Sequence, residues 1–283
     1  MGDRTSAPVA LVTGASRGIG RGVALALARL GYTVVITGRT IHEGDATNPA
    51  TGHSLPGSLA TTSREIEQIG AHCVAIPHDI LRLDTVSPLV DQVVDRCGRL
   101  DVLVNNAVYV GPGNESVFTD NDPLDIERRV SGNLTAPLLL THAFLRHALS
   151  REPHPQLSAR AWLVDVTSDA GRRTPERLAG RGGWSLVYAA TKGGFHRIAD
   201  MVAHEYGHLG VRAVNVNPGL VATERVLDTG ASLAWIAENG ATPEHIGETI
   251  VHIVRDPEVD NGAYVHAQQY SFHDEVRTTE DAL

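Results

Sequence analysis

The chain has 283 residues, 42% of them hydrophobic and 20% charged, and a formal charge of −9. That length accommodates one large α/β core, the composition excludes a disordered chain, and an acidic balance without a Lys/Arg run excludes a general nucleic-acid binder. No apolar run has the length of a membrane helix, the start Met1-Gly2-Asp3-Arg4-Thr5-Ser6 carries no signal-peptide pattern, and two cysteines, Cys73 and Cys97, make no disulfide framework, so a cytoplasmic protein without a membrane partner is expected.

Val9-Ala10-Leu11-Val12-Thr13 is an apolar run of the kind buried in a parallel sheet. It leads into Gly14-Ala15-Ser16-Arg17-Gly18-Ile19-Gly20 and then a helical pattern through Leu30, stopped by Gly31. Strand, glycine turn and helix form the context in which glycines let the backbone approach a pyrophosphate, which then meets the N–H groups of the helix start. Tyr32–Ile36 is the second strand, followed by Thr37-Gly38-Arg39. A carboxylate at that end would hold the ribose 2′-hydroxyl of NAD. Gly38 stands there instead, and Arg39 with Arg17 is suited to a 2′-phosphate, so NADP(H) is favoured over NAD(H).

Residues 40–58 read as an inserted polar loop containing Leu55-Pro56-Gly57, and it carries two carboxylates, Glu43 and Asp45, able to replace the one absent at Gly38. A helix (about Leu59 to Ile69), the strand Cys73–Ile76 and a helix (about Thr85 to Cys97) follow. Asp79, just after the strand, suits either an adenine amino group or a turn cap. The strand Leu100–Ala107 ends in Asn105 and Asn106, amides that either face the crevice at the strand's end or tie neighbouring backbone. A long helix over 122–150 carries Asn133, and the strand Ala161–Thr167 is followed by Ser168. The loop up to Tyr188 holds Arg172, Arg173, Arg177 and Arg181, which read as a solvated, mobile stretch.

Tyr188 and Lys192 lie four apart in an Ala-rich helical stretch, a spacing that stacks them on one face. A lysine ammonium beside a phenol favours the phenolate, which makes the pair a general acid/base. The same helix runs to His204-Glu205-Tyr206-Gly207-His208, a zinc-protease pattern at a glycine-frayed end with no third histidine at the required spacing, so no metal is expected. The strand Val211–Val216 turns sharply at Asn217-Pro218-Gly219-Leu220-Val221-Ala222-Thr223. Residues 224–241 read as a flexible cover, Pro243–Arg255 as a helix, Tyr264–Ala267 as a last strand and 268–283 as a polar tail.

Taken in order, Thr13-Gly14-Ala15-Ser16-Arg17-Gly18-Ile19-Gly20, Asp79, Asn105-Asn106-Ala107, Asn133, Ser168, Tyr188 with Lys192, and Asn217-Pro218-Gly219 with Thr223 resemble the successive motifs of the short-chain dehydrogenase/reductase family over about residues 8–267. The resemblance implies a single domain over 1–283 with a doubly wound parallel sheet (Rossmann fold). It implies cofactor contacts at Gly14, Ser16, Arg17, Gly18, Ile19, Gly20, Arg39, Asp79, Asn106, Ala107, Tyr188, Lys192, Pro218, Gly219, Val221 and Thr223. The implied chemistry is hydride transfer between NADP(H) and a carbonyl/alcohol pair on a small molecule. Tyr188 would move the proton, Ser168 would hydrogen-bond the substrate oxygen, Lys192 would hold the nicotinamide ribose, and Asn133 would anchor a water leading to solvent. A homodimer or homotetramer is implied too, and the helices near 122–150 and 185–207 are the expected dimer face. The chain departs from the family at Val108, where members carry Gly, in the long interval between Ser168 and Tyr188, and at Ala267-Gln268-Gln269, where they end in Gly-Gly. The three-residue gap between Tyr188 and Lys192 argues against enoyl reduction. The competing reading is a catalytically silent dinucleotide-binding sensor or scaffold of the same fold.

Overall fold

A strand rich in Val, Ile, Leu and Ala at successive positions has no polar face and needs cover on both sides. β1 (Val9–Thr13) and β5 (Ala161–Val166) are buried at every position. With β2 (Thr33–Gly38), β3 (Cys73–Pro77), β4 (Val102–Asn105), β6 (Val211–Asn217) and β7 (Tyr264–His266), they form a parallel sheet of order β3-β2-β1-β4-β5-β6-β7. The structure is a computed structural model that describes residues 7–48, 51–113, 115–228 and 234–270. Helices α1 (Gly18–Arg29), α2 (Leu59–Gln68) and α9 (Pro243–Arg255) cover one face of the sheet. The other face is covered by α3 (Leu83–Cys97), α5 (Ala136–Leu149) and α6 (Leu186–Tyr206). Strand alternation divides the core accordingly: Ala10 and Val12 pack with α1 and α9, while Val9 and Leu11 pack with the opposite layer.

The connection reverses at β1, which pairs with β2 on one side and β4 on the other. The carboxyl ends of β1 and β4 therefore open a crevice, the place where such sheets bind ligands. α1 and α9 meet backbone to backbone beside it. A Cβ at Gly247 would stand 2.3 Å from the Gly22 carbonyl oxygen, so neither helix tolerates a side chain at the crossing.

Two segments differ from what their sequence suggests. The long helix expected over 122–150 is α4 (Pro123–Val130), a π-helical turn (Ser131–Thr135) and α5. The wider turn places Gly132 against Tyr109 and Leu81, and π turns of this kind often carry functional side chains. The cover expected over 224–241 contains two short helices, α7 (Glu224–Asp228) and α8 (Ala234–Asn239). It is tied down at its ends, because Ala222 N donates to Ala241 O and Ala241 N to Leu220 O. In the 40–58 insertion, a bridge between Thr47 and Ser54 closes the loop, and Leu55 is buried beneath it. Of the tail expected over 268–283, residues 271–283 lie outside the described residues. No helix of the described residues is long and apolar enough to cross a membrane.

Candidate active site

The glycine loop lies between β1 and α1, and its shape follows from close packing. A Cβ at Gly20 would fall 2.4 Å from Gly14 O and 2.5 Å from the Asn106 amide nitrogen. That amide donates to Thr13 O (2.8 Å) and Gly14 O (3.2 Å), while Thr13 Oγ1 accepts from the Asn106 and Ala107 main-chain N–H groups. Asn106 thus ties backbone, and Asn105 does so with side chains, donating to Asp165 Oδ1 and Thr141 Oγ1. One cleft is lined by Gly14, Ser16, Arg17, Gly18, Ile19, Gly20, Arg39, Asp79, Asn106, Ala107 and Thr223. Asp79 within it also accepts from Leu81 N at 3.0 Å. Pro218, Gly219 and Val221 lie outside its lining; Gly219 N donates to Asn217 Oδ1, and Val221 bridges to Ala241.

Ser168 lies two residues past β5 and opens a short 3-10 turn, its hydroxyl accepting from Ala170 N at 3.2 Å. Ser185 caps α6 and accepts from Tyr188 N at 3.3 Å, which starts the helix one turn before Lys192. The Tyr188 phenol is raised above its ordinary pKa by burial, and its interaction with Ser168 offsets part of that. The direction is opposite to the lowering expected from Lys192. The reason is where the lysine points: Lys192 Nζ donates to Val166 O at 2.9 Å and lies 4.7 Å from the Phe195 ring centre. Burial pushes Lys192 down to about 8, against the pull of Asp165. Burial likewise pushes Asp165 up to about 7, opposed by Asn105 and Lys192. Asn133, in the π turn, accepts from Tyr109 N (2.7 Å) and donates to Tyr109 O (3.0 Å). One acceptor site and one donor of its side-chain amide are thus engaged with Tyr109. The cleft at the glycine loop does not extend to Ser168, Tyr188 or Lys192.

Several residues at the site carried no local signal. Asp169 accepts from the Tyr264 hydroxyl at 2.5 Å, which in turn accepts from Asn217 Nδ2 at 2.7 Å, so β7 steadies the Ser168 turn. Arg172 lies 4.1 Å over the Tyr264 ring and Arg173 is 3.7 Å from Asp169, which anchors the start of a loop read as solvated. Glu224 on α7 accepts from Gly18 N at 2.9 Å, setting a carboxylate at the α1 N-terminus. Arg225, its neighbour, lines the same cleft. A carboxylate in the apolar strand Trp162–Val166 was the one visible hint of Asp165. Glu43 and Asp45, able to serve a ribose diol, serve the insertion instead: Glu43 accepts from Gly57 N and Thr61 Oγ1, and Asp45 from His42 N. His204 is in α6, but Gly207–Leu209 is a 3-10 turn, so the helical face that a zinc pair needs ends before His208. Among the described residues no three His, Cys, Asp or Glu side chains converge as a metal set.

The donor set and the glycine cradle fit a dinucleotide: a helix start with close backbone access, polar groups along the strand ends and guanidinium groups at the far rim. Known proteins give the same direction. The short chain dehydrogenase family model matches residues 8–232. A 3-oxoacyl-[acyl-carrier-protein] reductase of Synechocystis is 32% identical over 94% of this chain and 95% of its own. The mouse dehydrogenase/reductase SDR family member 1 is 30% identical over 89% of this chain and 76% of its own. Among solved structures, a metagenomic short-chain oxidoreductase in complex with NADP aligns with a TM-score of 0.69 at 25% identity, covering 93% of this chain and 98% of that one. A 3-oxoacyl-[acyl-carrier protein] reductase from Brucella melitensis in complex with NAD shares the fold, with a TM-score of 0.74 at 23% identity over 92% and 95% of the two chains.

Proposed function

The chain belongs to the short-chain dehydrogenase family of NAD(P)-dependent oxidoreductases, and we propose that within it the protein transfers a hydride between NADP(H) and the carbonyl or alcohol of a small molecule. The observation that carries this reading is the meeting of Ser168, just past β5, with Tyr188 on α6, the helix that carries Lys192 one turn further on. The nicotinamide, when bound, supplies or accepts the hydride. Tyr188 gives its phenolic proton to the carbonyl oxygen in reduction and takes it back in oxidation. A phenol kept protonated by its surroundings suits the reductive direction. Ser168 hydrogen-bonds the same oxygen as charge develops on it. Lys192, with one of its three donors on Val166, contributes its remaining donors to the nicotinamide ribose. Asn133 orders the Tyr109 segment at the mouth of the site.

The preference for NADP(H) is supported by Gly38 and Arg39 at the end of β2, and by the engagement of Glu43 and Asp45 elsewhere. We read the protein also as a homodimer through its α4–α6 face. The test of the catalytic assignment is Tyr188→Phe, assayed with NADPH against a panel of diketones and quinones. Turnover is expected to fall by the 10²–10⁴-fold, in order of magnitude, that such a group supplies, while NADPH binding stays within about twofold. Retention of more than about a hundredth of the wild-type rate removes Tyr188 from that role.

A further inference from the structure

Three arginines from separate elements converge on one rim of the glycine-loop cleft: Arg17 from the loop, Arg39 from the end of β2 and Arg225 from α7. Arg17 is already committed. Its Nε donates to Pro56 O, its Nη2 to Gly57 O and its Nη1 to Thr40 Oγ1, so it binds the inserted loop and adds charge rather than an open fork. Arg39 is exposed and Arg225 half-buried, and neither has a carboxylate partner among the described residues. Burial, then Arg17 and Arg39, disfavours the charge on Arg225. A half-buried guanidinium held against two others is an unfavourable arrangement that a bound dianion relieves, and a fork of N–H donors matches a phosphate.

The position of Arg225 is enforced from the insertion. Asn48 Nδ2 donates to Asp228 Oδ2 at 2.7 Å and to the Arg225 carbonyl oxygen at 3.4 Å. Thr51 Oγ1 donates to the same carboxylate oxygen, and His53 Nδ1 lies 3.0 Å from the other. Asn48 is itself only 1% exposed, so the loop is packed around the residue that grips α7. A stretch that sequence alone reads as a surface insertion thus forms a clasp between the end of β2 and the cover of the cleft.

We propose that Arg225 is a specificity-determining residue for the cofactor, gripping the 2′-phosphate together with Arg39, and that the 40–58 insertion holds α7 where this grip forms. The inference rests on the NADP(H) reading above, and a single experiment separates the two. Dissociation constants of NADPH and NADH are measured by titration for wild type, Arg225→Ala and Asn48→Ala, with melting temperatures as a check on folding. Wild type is expected to favour NADPH by tens to hundreds of fold, in order of magnitude, from a few charge-assisted contacts at a partly exposed site. Arg225→Ala is expected to weaken NADPH about tenfold or more and to leave NADH within about twofold. Asn48→Ala, which loosens the clasp without altering charge, is expected to lower the NADPH:NADH ratio to a smaller degree. If wild type favours NADPH and Arg225→Ala leaves the ratio unchanged, Arg225 has no such role and the NADP(H) reading stands. An unchanged ratio in Asn48→Ala, with Arg225→Ala impaired, removes the clasp alone. Equal affinity of wild type for NADPH and NADH overturns the NADP(H) reading and this inference with it.

Discussion

Asp165 is a carboxyl group set in the middle of the sheet, paired in register with Asn105 on one side and Asn215 on the other. One oxygen accepts from Asn105; the other is buried without a hydrogen-bond partner, as is Asn215 Oδ1 on the adjoining strand. A proton on Asp165 lets the group donate, which ionised it cannot do. Burial accordingly raises the carboxyl to about 7, so the folded chain holds a proton that the unfolded chain releases near pH 4. The stability this contributes is complete below the unfolded value and is lost as pH rises through the folded one. Removing the carboxylate also makes Lys192 harder to charge in the fold, which weakens the variant most at low pH, so both effects run in the same direction. Asp165→Asn is therefore expected to gain on wild type between pH 5 and 8, by about 1–3 kcal/mol, read from chemical denaturation at each pH. A difference independent of pH would show that Asp165 does not titrate in this range.

Between elements, two contacts decide how the cleft is built. Glu224 sets its carboxylate on Gly18 N at the start of α1, the group that a pyrophosphate would use. The carboxylate competes with the phosphates for that N–H and repels them. Glu224→Gln is expected to bind NADPH and NADH about two- to tenfold more tightly, since helix-terminus charge effects are worth about 0.3–1 kcal/mol or somewhat more when partly buried. Equal or weaker binding would mean that the carboxylate is not in competition. On the far side of α1, the crossing with α9 is built on glycine. Gly247→Ala adds a methyl 2.3 Å from Gly22 O, and the expected overpacking cost of about 1–3 kcal/mol lowers the melting temperature by several degrees. Gly193→Ala on α6 is the control: its methyl would sit 3.5 Å from Gly171 O, at ordinary contact distance, and no comparable loss is expected. A similar loss at both positions would refute close packing as the cause.

For the molecule as a whole, the α4–α6 side leaves Leu124, Val130, Leu138, Leu186 and Met201 exposed. Exposed apolar residues on neighbouring helices favour burial against a second copy. Sedimentation velocity at micromolar concentration is expected to show a dimer, and Leu138→Glu to shift it toward monomer. A stable wild-type monomer would rule out that face as the interface.

Local signals carried the fold. Unbroken Val/Ile/Leu/Ala runs alternating with helical periods, each punctuated by glycine or proline, restrict the chain to a parallel sheet covered on both faces, and the glycine turn after β1 marks its crevice. Tyr188 and Lys192 were legible because helical spacing is a local property. What needed tertiary structure were the effects of neighbours distant in sequence. Asp165 and Val166 draw Lys192 inward, burial raises the Tyr188 phenol, and Tyr109 takes the Asn133 amide. The 40–58 insertion was visible as a length of polar chain, but not as a clasp. Its partner, Asp228, lies some 175–180 positions away, and sequence spacing carries no information about contacts that chain folding alone brings within hydrogen-bond reach.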